Sequence, residues 1–190
     1  VWIGTDQGLV IYEDNALRPV TSSDGKPITR IRALAPDHSG GMWVATEVNG
    51  IVHCQDGATV RYTAEDGLAH NSTYSLATDT DGSIWIGTFS GLNRFIDGRI
   101  ESHPAAPSAA IRDLLPDDEG RLWLACENGL YAYIDGAYTT YRSVDGLGHD
   151  VATNLAIDHS GHLWIGTQAG LSRFDGTAFQ ALRQRDGMPS

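Results

Sequence analysis

The sequence has 190 residues, of which 41% are hydrophobic, and 13 Lys and Arg face 24 Asp and Glu for a formal net charge of −11. This composition is typical of a globular protein and argues against intrinsic disorder. No two basic residues are adjacent, so we expect no nucleic-acid partner and no direct contact with an anionic membrane. No stretch approaches the roughly 18 apolar residues of a membrane-spanning helix, and no secretory signal peptide opens the chain. Because the first residue is Val1, inside an apolar motif, we expect an excerpt of a longer protein.

Five tryptophans mark an internal repeat. Each Trp lies in a short apolar segment, and a Gly-Leu or Gly-Ile pair follows six or seven residues later. The segments are Val1–Thr5, Met42–Thr46, Ile84–Thr88, Leu122–Cys126 and Leu163–Thr167. Successive Trp residues are 41, 42, 38 and 41 positions apart. A period near 40 residues predicts a repeat architecture.

Each repeat predicts four antiparallel strands, because short apolar runs alternate with Gly, Asp and Asn turns and no segment has helical periodicity. In the third repeat the predicted strands are Ser72–Thr78, Ser83–Thr88, Gly91–Phe95 and Arg99–His103. Asp-Gly at 56–57, 97–98, 135–136 and 175–176, and Asp14-Asn15 in the first repeat, join the third strand to the fourth. Such pairs predict tight hairpin turns with positive φ.

The repeats predict an all-β fold, a β-propeller of four-stranded antiparallel blades, rather than a stacked solenoid. Residues 1–190 then form a single propeller segment of about 4.75 blades, because the chain opens on a second strand and ends before a first strand. The predicted repeats span residues 1–27 (partial), 28–69, 70–107, 108–148 and 149–190. We expect a seven-bladed ring that extends beyond this chain, with a five-bladed ring as the alternative.

The repeat resembles the two-component regulator propeller family over the whole chain. The pattern Asp-x-x-Gly-x-Leu/Ile-Trp-Ile-Gly-Thr-x-x-Gly-Leu-x-Arg-Phe is clearest at Asp79–Phe95 and Asp158–Phe174. Asp-Gly-Leu turns at 66–68 and 145–147 and the segment Asp186-Gly187-Met188-Pro189 fit it too, whereas 103–107 replaces that turn in the fourth repeat. The resemblance implies the extracytoplasmic sensor part of a bacterial membrane receptor. A transmembrane helix and a histidine kinase or diguanylate cyclase output domain would follow.

Candidate ligand-binding residues come from loops that share one face of a propeller, which we call the loop face. The loops that join second to third strands contribute Asp6, Gln7, Glu47, Asn49, Phe89, Ser90, Glu127, Asn128 and Gln168, and the loops between blades contribute His70, Asn71, His149 and Asp150. Equivalent first-strand positions next to the axis hold Arg32, Tyr74, Arg112 and Thr153. Mixed Arg and Tyr at one position predict a polar channel for an anionic or sugar ligand. The alternative is that these side chains bind water and adjacent backbone.

Other chemically capable residues have structural explanations. The Trp residues are expected to pack between blades, and turns such as Asp79–Gly82 lack the ligand series of a calcium loop, with Asp capping the backbone instead. Cys54 and Cys126 lie two blades apart, so we expect two buried thiols and no disulfide. The histidines lack companions at metal-ligand spacing. We therefore expect no metal and no cofactor.

The sequence thus predicts a non-catalytic, ligand-sensing propeller segment of a bacterial signal-transduction receptor. We expect it in the periplasm, as part of a membrane-anchored receptor dimer, with a small molecule or a protein bound on the loop face. Carbohydrate is an expectation of the family resemblance alone. Two alternatives stay open: a propeller lyase or hydrolase that recruits Glu47, Glu127, His70 and His149, and a protein–protein interaction scaffold.

Overall fold

The computed structural model describes residues 1–182, and its regular elements there are nineteen β-strands and two short 3-10 turns. The strands form five antiparallel sheets; the first has three strands and the others have four each. The predicted all-β fold and the predicted strand count per repeat are therefore confirmed. The segment Asp186–Pro189, which fits the family pattern, lies outside the described residues. Within residues 1–182, no helix has the length and apolar character needed to cross a membrane.

Strands lie side by side in chain order within every sheet. The first sheet holds β1 (Trp2–Gly4), β2 (Leu9–Glu13) and β3 (Ala16–Pro19). The second holds β4 (Ile31–Pro36), β5 (Met42–Thr46), β6 (Ile51–Gln55) and β7 (Ala58–Tyr62), and the third holds β8 (Thr73–Thr78), β9 (Ile84–Thr88), β10 (Gly91–Ile96) and β11 (Arg99–Ser102). The fourth holds β12 (Ile111–Pro116), β13 (Leu122–Cys126), β14 (Gly129–Ile134) and β15 (Ala137–Tyr141). The fifth holds β16 (Ala152–Ile157), β17 (Leu163–Thr167), β18 (Gly170–Phe174) and β19 (Phe179–Leu182). The 3-10 turns Ala64–Asp66 and Ser143–Asp145 follow β7 and β15.

Two-residue hairpin turns join the last two strands of the first four sheets. Asp97 and Gly98 have φ values of 50° and 75°, and their flanking residues Ile96 and Arg99 pair directly. The turns at 14–15, 56–57 and 135–136 share this geometry.

The same prediction for 175–176 is wrong in detail. Phe174 pairs with Phe179, which leaves residues 175–178 in the loop. The Asp175 carboxylate accepts the backbone N–H groups of Thr177 and Ala178, both at 2.9 Å. These two bonds stabilise a wider loop than the Asp-Gly pair alone predicts.

The acidic turns of the second, fourth and fifth sheets have the predicted structure. In the third sheet, Asp81 instead of Asp79 accepts the Ser83 N–H, at 2.9 Å. Asp37 Oδ1 accepts the backbone N–H groups of Ser39 and Gly41 at 2.9 and 2.7 Å, and Gly40 has a φ of 92°. Asp117 and Asp158 accept the equivalent pair of bonds. The turn Asp therefore caps the backbone.

The second carboxylate oxygen of the turn Asp binds the tryptophan, which the sequence analysis missed. In the third, fourth and fifth sheets the indole N–H donates to Oδ2 at 2.9, 2.8 and 2.8 Å, from Trp85 to Asp79, Trp123 to Asp117 and Trp164 to Asp158. In the second sheet, His53 takes the equivalent oxygen of Asp37 and stacks on Trp43 with the ring centroids 4.3 Å apart. Because a buried indole N–H needs an acceptor, the turn Asp links the turn to the core.

The chain divides into two compact units, Val1–Pro104 and Ala105–Ser190. In the first, Trp43 is only 2% exposed and packs against Phe95 of the next sheet at a centroid distance of 4.6 Å. In the second, Trp123 is only 1% exposed and packs against Phe174 at 5.8 Å. The predicted packing of these Trp residues between sheets is confirmed.

Both cysteines are buried and free, as predicted. Cys54 packs in a cluster with Leu9, Val52 and Trp2. Burial raises the pKa of the Cys54 thiol to about 11 and that of Cys126 to about 12. Neither thiol is activated as a nucleophile, because the thiolate is disfavoured in both places.

Candidate functional site

Two sets of candidate loops meet at one end of each complete sheet, where the first strand begins and the second strand ends. We call this end of the sheet its loop edge. The first residue of the first strand pairs with the last residue of the second, as Ile31 pairs with Thr46. A backbone bond closes each loop edge: the N–H of the residue after the second strand donates to the residue before the first. The four bonds are Glu47 to Arg30 (2.9 Å), Phe89 to Ser72 (2.9 Å), Glu127 to Ala110 (3.3 Å) and Gln168 to Val151 (3.2 Å).

The variable first-strand candidates are all extra residues of β-bulges. The register of the first two strands shifts between Ile31 and Ala33, and Arg32 lies in that shift. Tyr74, Arg112 and Thr153 occupy the same position in the third, fourth and fifth sheets. A bulge leaves one residue outside the ladder and redirects its side chain, so bulges are common beside binding sites.

The structure brings together residues that were predicted from different sets. Arg32 forms an ion pair with Glu47, and Arg112 forms the equivalent pair with Glu127. All four side chains are between 31% and 44% exposed. Exposed ion pairs contribute at most about 1 kcal/mol to stability, so these groups can exchange partners with a ligand at little cost. The third and fifth sheets instead hold Tyr74 with Phe89 and Thr153 with Gln168 at these two positions.

Arg30 belongs to this site and was not predicted. Its guanidinium lies 3.8 Å from Glu47, so that carboxylate faces two arginines. Its φ is 53°, whereas every other non-glycine residue with positive φ in the described chain is an Asp or Asn of a hairpin turn. Left-handed backbone costs a long side chain about 1–2 kcal/mol. The available sequence signal was the pair of arginines two residues apart at the start of β4.

His70, Asn71, His149 and Asp150 stabilise loops. The Nδ1 atoms of His70 and His149 accept the N–H groups two residues later at 2.9 and 3.0 Å. Asn71 and Asp150 each accept, at 2.7 Å, the first N–H of the 3-10 turn that precedes them. The bond from Ser143 lowers the pKa of the Asp150 carboxyl. The equivalence of the two loops is thus structural, and their side chains are partly committed to the backbone.

The remaining candidates divide by exposure and partner. Phe89 is half exposed and its ring lies 5.2 Å from that of His70. The backbone carbonyls of Asn49 and Asn128 accept bonds from Arg61 and Arg142, both at 3.2 Å. Asn128 also accepts the Tyr131 hydroxyl at 3.0 Å. Phe89 is therefore an exposed aromatic side chain that the loop edge of the third sheet offers to a ligand.

A cleft of about 340 Å³ opens at the loop edge of the second sheet, and its lining consists of Asp6, Gln7, Arg30, Arg32 and Glu47. The Arg30 N–H donates to the Asp6 carbonyl at 3.0 Å and thereby joins the two loops that form the cleft. A larger cleft of about 610 Å³ lies beside β3 and segment 19–29. Among the described residues that line it, Lys26 is the charged one and Gln7 is the selected candidate. The smaller cleft is the better candidate because its polar groups converge.

Three segments of the chain, residues 67–90, 106–128 and 146–169, match the sequence profile of the two component regulator propeller family. These three segments are similar to two-component regulator propeller repeats. The matched segments cover the loop edges of the third, fourth and fifth sheets. The predicted family resemblance is confirmed.

Solved structures that share the fold of these propeller repeats include two extracellular domains of hybrid two-component systems from B. thetaiotaomicron. One has a TM-score of 0.84 and 21% identity, over 100% of this chain and 28% of its own. The other has a TM-score of 0.79 and 26% identity, over 96% of this chain and 26% of its own. Virginiamycin B lyase from Staphylococcus aureus has a TM-score of 0.69 and 14% identity, over 96% and 68%. The present chain spans about a quarter of the length of the two extracellular domains. No curated protein matches the sequence.

Proposed function

We propose that this chain is a sensor segment of a bacterial signal-transduction receptor, held in the periplasm by a membrane anchor elsewhere in the protein. It binds a small molecule at its loop edges and performs no chemical step. The match to two-component regulator propeller repeats and the likeness to extracellular domains of hybrid two-component systems support this function. We propose carbohydrate as the class of this small molecule.

One repeated feature carries the proposal. The first strand of each complete sheet has a β-bulge beside the loop residue that follows the second strand, and the side chains at these two positions differ between sheets. The same backbone presents Arg32 with Glu47 in one sheet and Tyr74 with Phe89 in the next. Binding residues are commonly placed in this way, on variable loops over a rigid sheet. The chain therefore keeps its scaffold while its surface chemistry changes.

The arrangement of Glu47 and His70 supports a binding role over a catalytic one. Glu47 is engaged by two guanidinium groups, and His70 Nδ1 accepts the Ser72 N–H. Among residues 1–182, no hydrogen bond joins Glu47 to His70 or Glu127 to His149. A general base needs hydrogen-bond reach to a proton and to its orienting partner.

Signalling then follows from differential binding. A ligand that binds one of two arrangements of a receptor dimer more tightly shifts the population toward that arrangement. The effect on a distant output domain is limited to the free energy of that difference.

Binding is tested with this chain and a panel of neutral and acidic monosaccharides and short oligosaccharides, through the melting temperature of the protein. A ligand at a hundred times its Kd stabilises the folded state by about 2.7 kcal/mol. We expect Phe89→Ala or Arg32→Gln to reduce the thermal shift. Arg99→Gln is the control. Arg99 is an exposed residue at the start of β11, at the end of the third sheet opposite its loop edge. Conversion of a panel sugar to a new product by mass spectrometry, or no thermal shift with any sugar, would contradict the proposal.

A further inference from the structure

We infer that the cleft formed by Asp6, Gln7, Arg30, Arg32 and Glu47 binds the carboxylate of an acidic sugar. This inference rests on the proposed sensor function and adds the chemical class of the ligand. It concerns the loop edge of the second sheet alone.

The two arginines of this cleft have more donors than its carboxylates use. Each guanidinium carries five N–H donors in a fixed fork that suits a carboxylate. Arg32 is bound to Glu47, but Arg30 lies 3.8 Å from it, beyond hydrogen-bond distance, and its side chain is 56% exposed. In the described part of the chain, no protein group accepts a hydrogen bond from the Arg30 side chain. An anionic group in the cleft would supply that acceptor.

The remaining lining selects the kind of anion. Asp6 and Glu47 offset the charge of the two arginines, so the cleft has no surplus positive charge that would favour a dianion such as phosphate over a single carboxylate. The same two carboxylates accept hydrogen bonds from ligand hydroxyls, and Gln7 both donates and accepts. A ligand with one carboxylate and several hydroxyls satisfies every polar group of the cleft, and an acidic sugar has this combination.

Neutral sugars fit this cleft less well. Among the described residues, no aromatic side chain lines it, so they supply no stacking surface for a neutral sugar ring. Its volume of about 340 Å³ lies at the small end of ligand pockets, which suits one sugar unit. Recognition there must depend on charge and hydrogen bonds.

The fourth sheet supplies an internal comparison. It repeats the bulged arginine and its acidic partner as Arg112 and Glu127, but Ala110 stands where the second sheet has Arg30. The second guanidinium is therefore the difference between the two loop edges. Arg30 also holds the left-handed backbone described above, and such strained residues cluster at ligand clamps.

The test measures the affinity of this chain for glucuronate, glucose and acetate by calorimetry at low salt. We expect glucuronate to bind at least tenfold more tightly than glucose, which lacks the carboxylate, and than acetate, which lacks the hydroxyls. Arg30→Asn should weaken glucuronate binding by roughly 10- to 150-fold, the equivalent of one charged hydrogen bond. Asn tolerates left-handed backbone, so this variant should keep the fold, which circular dichroism checks. The control variant Arg99→Asn, at an exposed residue of β11 outside the loop edges, should change the affinity by less than about twofold.

Equal affinity for glucuronate and glucose, equal affinity for acetate, or an unchanged affinity in Arg30→Asn would overturn the inference. If Phe89→Ala abolishes binding of a neutral sugar while Arg30→Asn has no effect, the sensor function stands and this site is wrong. If the chain binds no sugar of any kind, both fail.

Discussion

Single tryptophans connect the interior of the third, fourth and fifth sheets to a surface turn. Trp123 is buried between the fourth and fifth sheets, and its indole N–H donates to Asp117, which also accepts Arg121 Nε at 2.7 Å. The Asp117 side chain thereby explains the repeat pattern Asp-x-x-Gly-x-Leu-Trp, because it accepts hydrogen bonds from the turn backbone and from the buried indole N–H.

Replacement of Trp123 separates these two contributions. Trp123→Ala should lower the free energy of unfolding by about 3–5 kcal/mol, because it removes a large buried ring. Trp123→Phe should cost less than Trp123→Ala, because a ring remains; it loses about 1 kcal/mol with the hydrogen bond to Asp117 and a further contribution from the smaller ring. Urea unfolding followed by circular dichroism measures both. Val144→Ala, at a side chain that is 90% exposed, should change the value by less than about 0.5 kcal/mol, and an equally small effect of Trp123→Ala would contradict the packing role.

The Asp37 carboxyl makes the free energy of unfolding depend on pH. Burial acts to raise the pKa of its carboxyl, but hydrogen bonds from His53, Ser39 and Gly41 outweigh burial and bring it down to about 2. An unfolded Asp titrates near 3.9, so the folded state holds its proton less tightly. Asp37 therefore stabilises the fold above about pH 4, and this contribution is lost as the pH falls toward 2.

The acid prediction is measured by urea unfolding between pH 7 and pH 2. Asp37→Asn should be less stable than the wild type at pH 7 and should approach it at pH 2. Asp14→Asn, at an exposed turn carboxylate, should run parallel to the wild type throughout. A gap between Asp37→Asn and the wild type that does not narrow with acid would refute the assignment.

Hairpins and strand starts place different demands on glycine. At Gly98, φ is 75° and no atom lies within 4 Å of an added Cβ, so only the backbone conformation opposes substitution. At Gly50, φ is 71° and an added Cβ would lie 2.0 Å from the Tyr62 carbonyl oxygen. The close approach of β7 to the start of β6 adds a steric demand there.

Alanine at these two glycines should therefore have unequal effects. Gly98→Ala should cost about 1–2 kcal/mol, the price of left-handed backbone at one residue, and Gly98→Asn should cost less. Gly50→Ala should be more destabilising than Gly98→Ala, because the strand must move as well. Melting temperatures of the three variants rank them, and equal melting temperatures for both Ala variants would show that β7 yields freely.

The elements followed from the sequence wherever local chemistry decides them. Asp97-Gly98 predicts its turn because two residues of positive φ fix the register of the strands beside it. The same dipeptide at 175–176 does not, since the Asp175 side chain stabilises a wider loop through Thr177 and Ala178. The Asp-Gly dipeptide alone does not specify whether the Asp carboxylate accepts hydrogen bonds from residues further along the loop.

At the scale of the molecule, the described chain consists of two units, each with its own buried clusters. The boundary between the units, at Pro104 and Ala105, falls in the segment that has no Asp-Gly-Leu turn. Where that turn is present, its leucine, Leu68 or Leu147, is buried in a core cluster. In repeat proteins, stability is close to a sum of repeat and neighbour contributions. Damage in one unit should therefore not spread evenly.

Hydrogen exchange of Trp123→Ala tests that expectation. Protection should fall most in β12 to β19, which contain its cluster, and least in β1 to β7. Trp43→Ala should give the opposite gradient. Uniform loss of protection along the chain in either variant would indicate one cooperative unit.

The predicted number of seven blades in the complete ring stays a prediction.

The site was predictable in part. Counting from the repeat identified Arg32 and Arg112 as variable positions and Glu47 and Glu127 as loop residues, but not their pairing, which depends on how a bulge turns the side chain. Arg30 was missed because its spacing from Arg32 was the one available signal, and its left-handed backbone has no sequence signature. His70 and Asn71 were correctly grouped with His149 and Asp150, although their bonds to backbone N–H groups could be seen only in three dimensions.

The bulges also bear on how such a protein can diversify. A bulged residue has no directly opposed residue in the ladder, and none of the four bulged residues is buried, so replacing one disturbs few core contacts. Duplicated repeats could therefore acquire new ligand preferences by drift at residues 32, 74, 112 and 153 before any selection for recognition acted on them. This separation of folding from recognition makes the repeat readily evolvable and offers four sites where a specificity library can be built at low cost in stability.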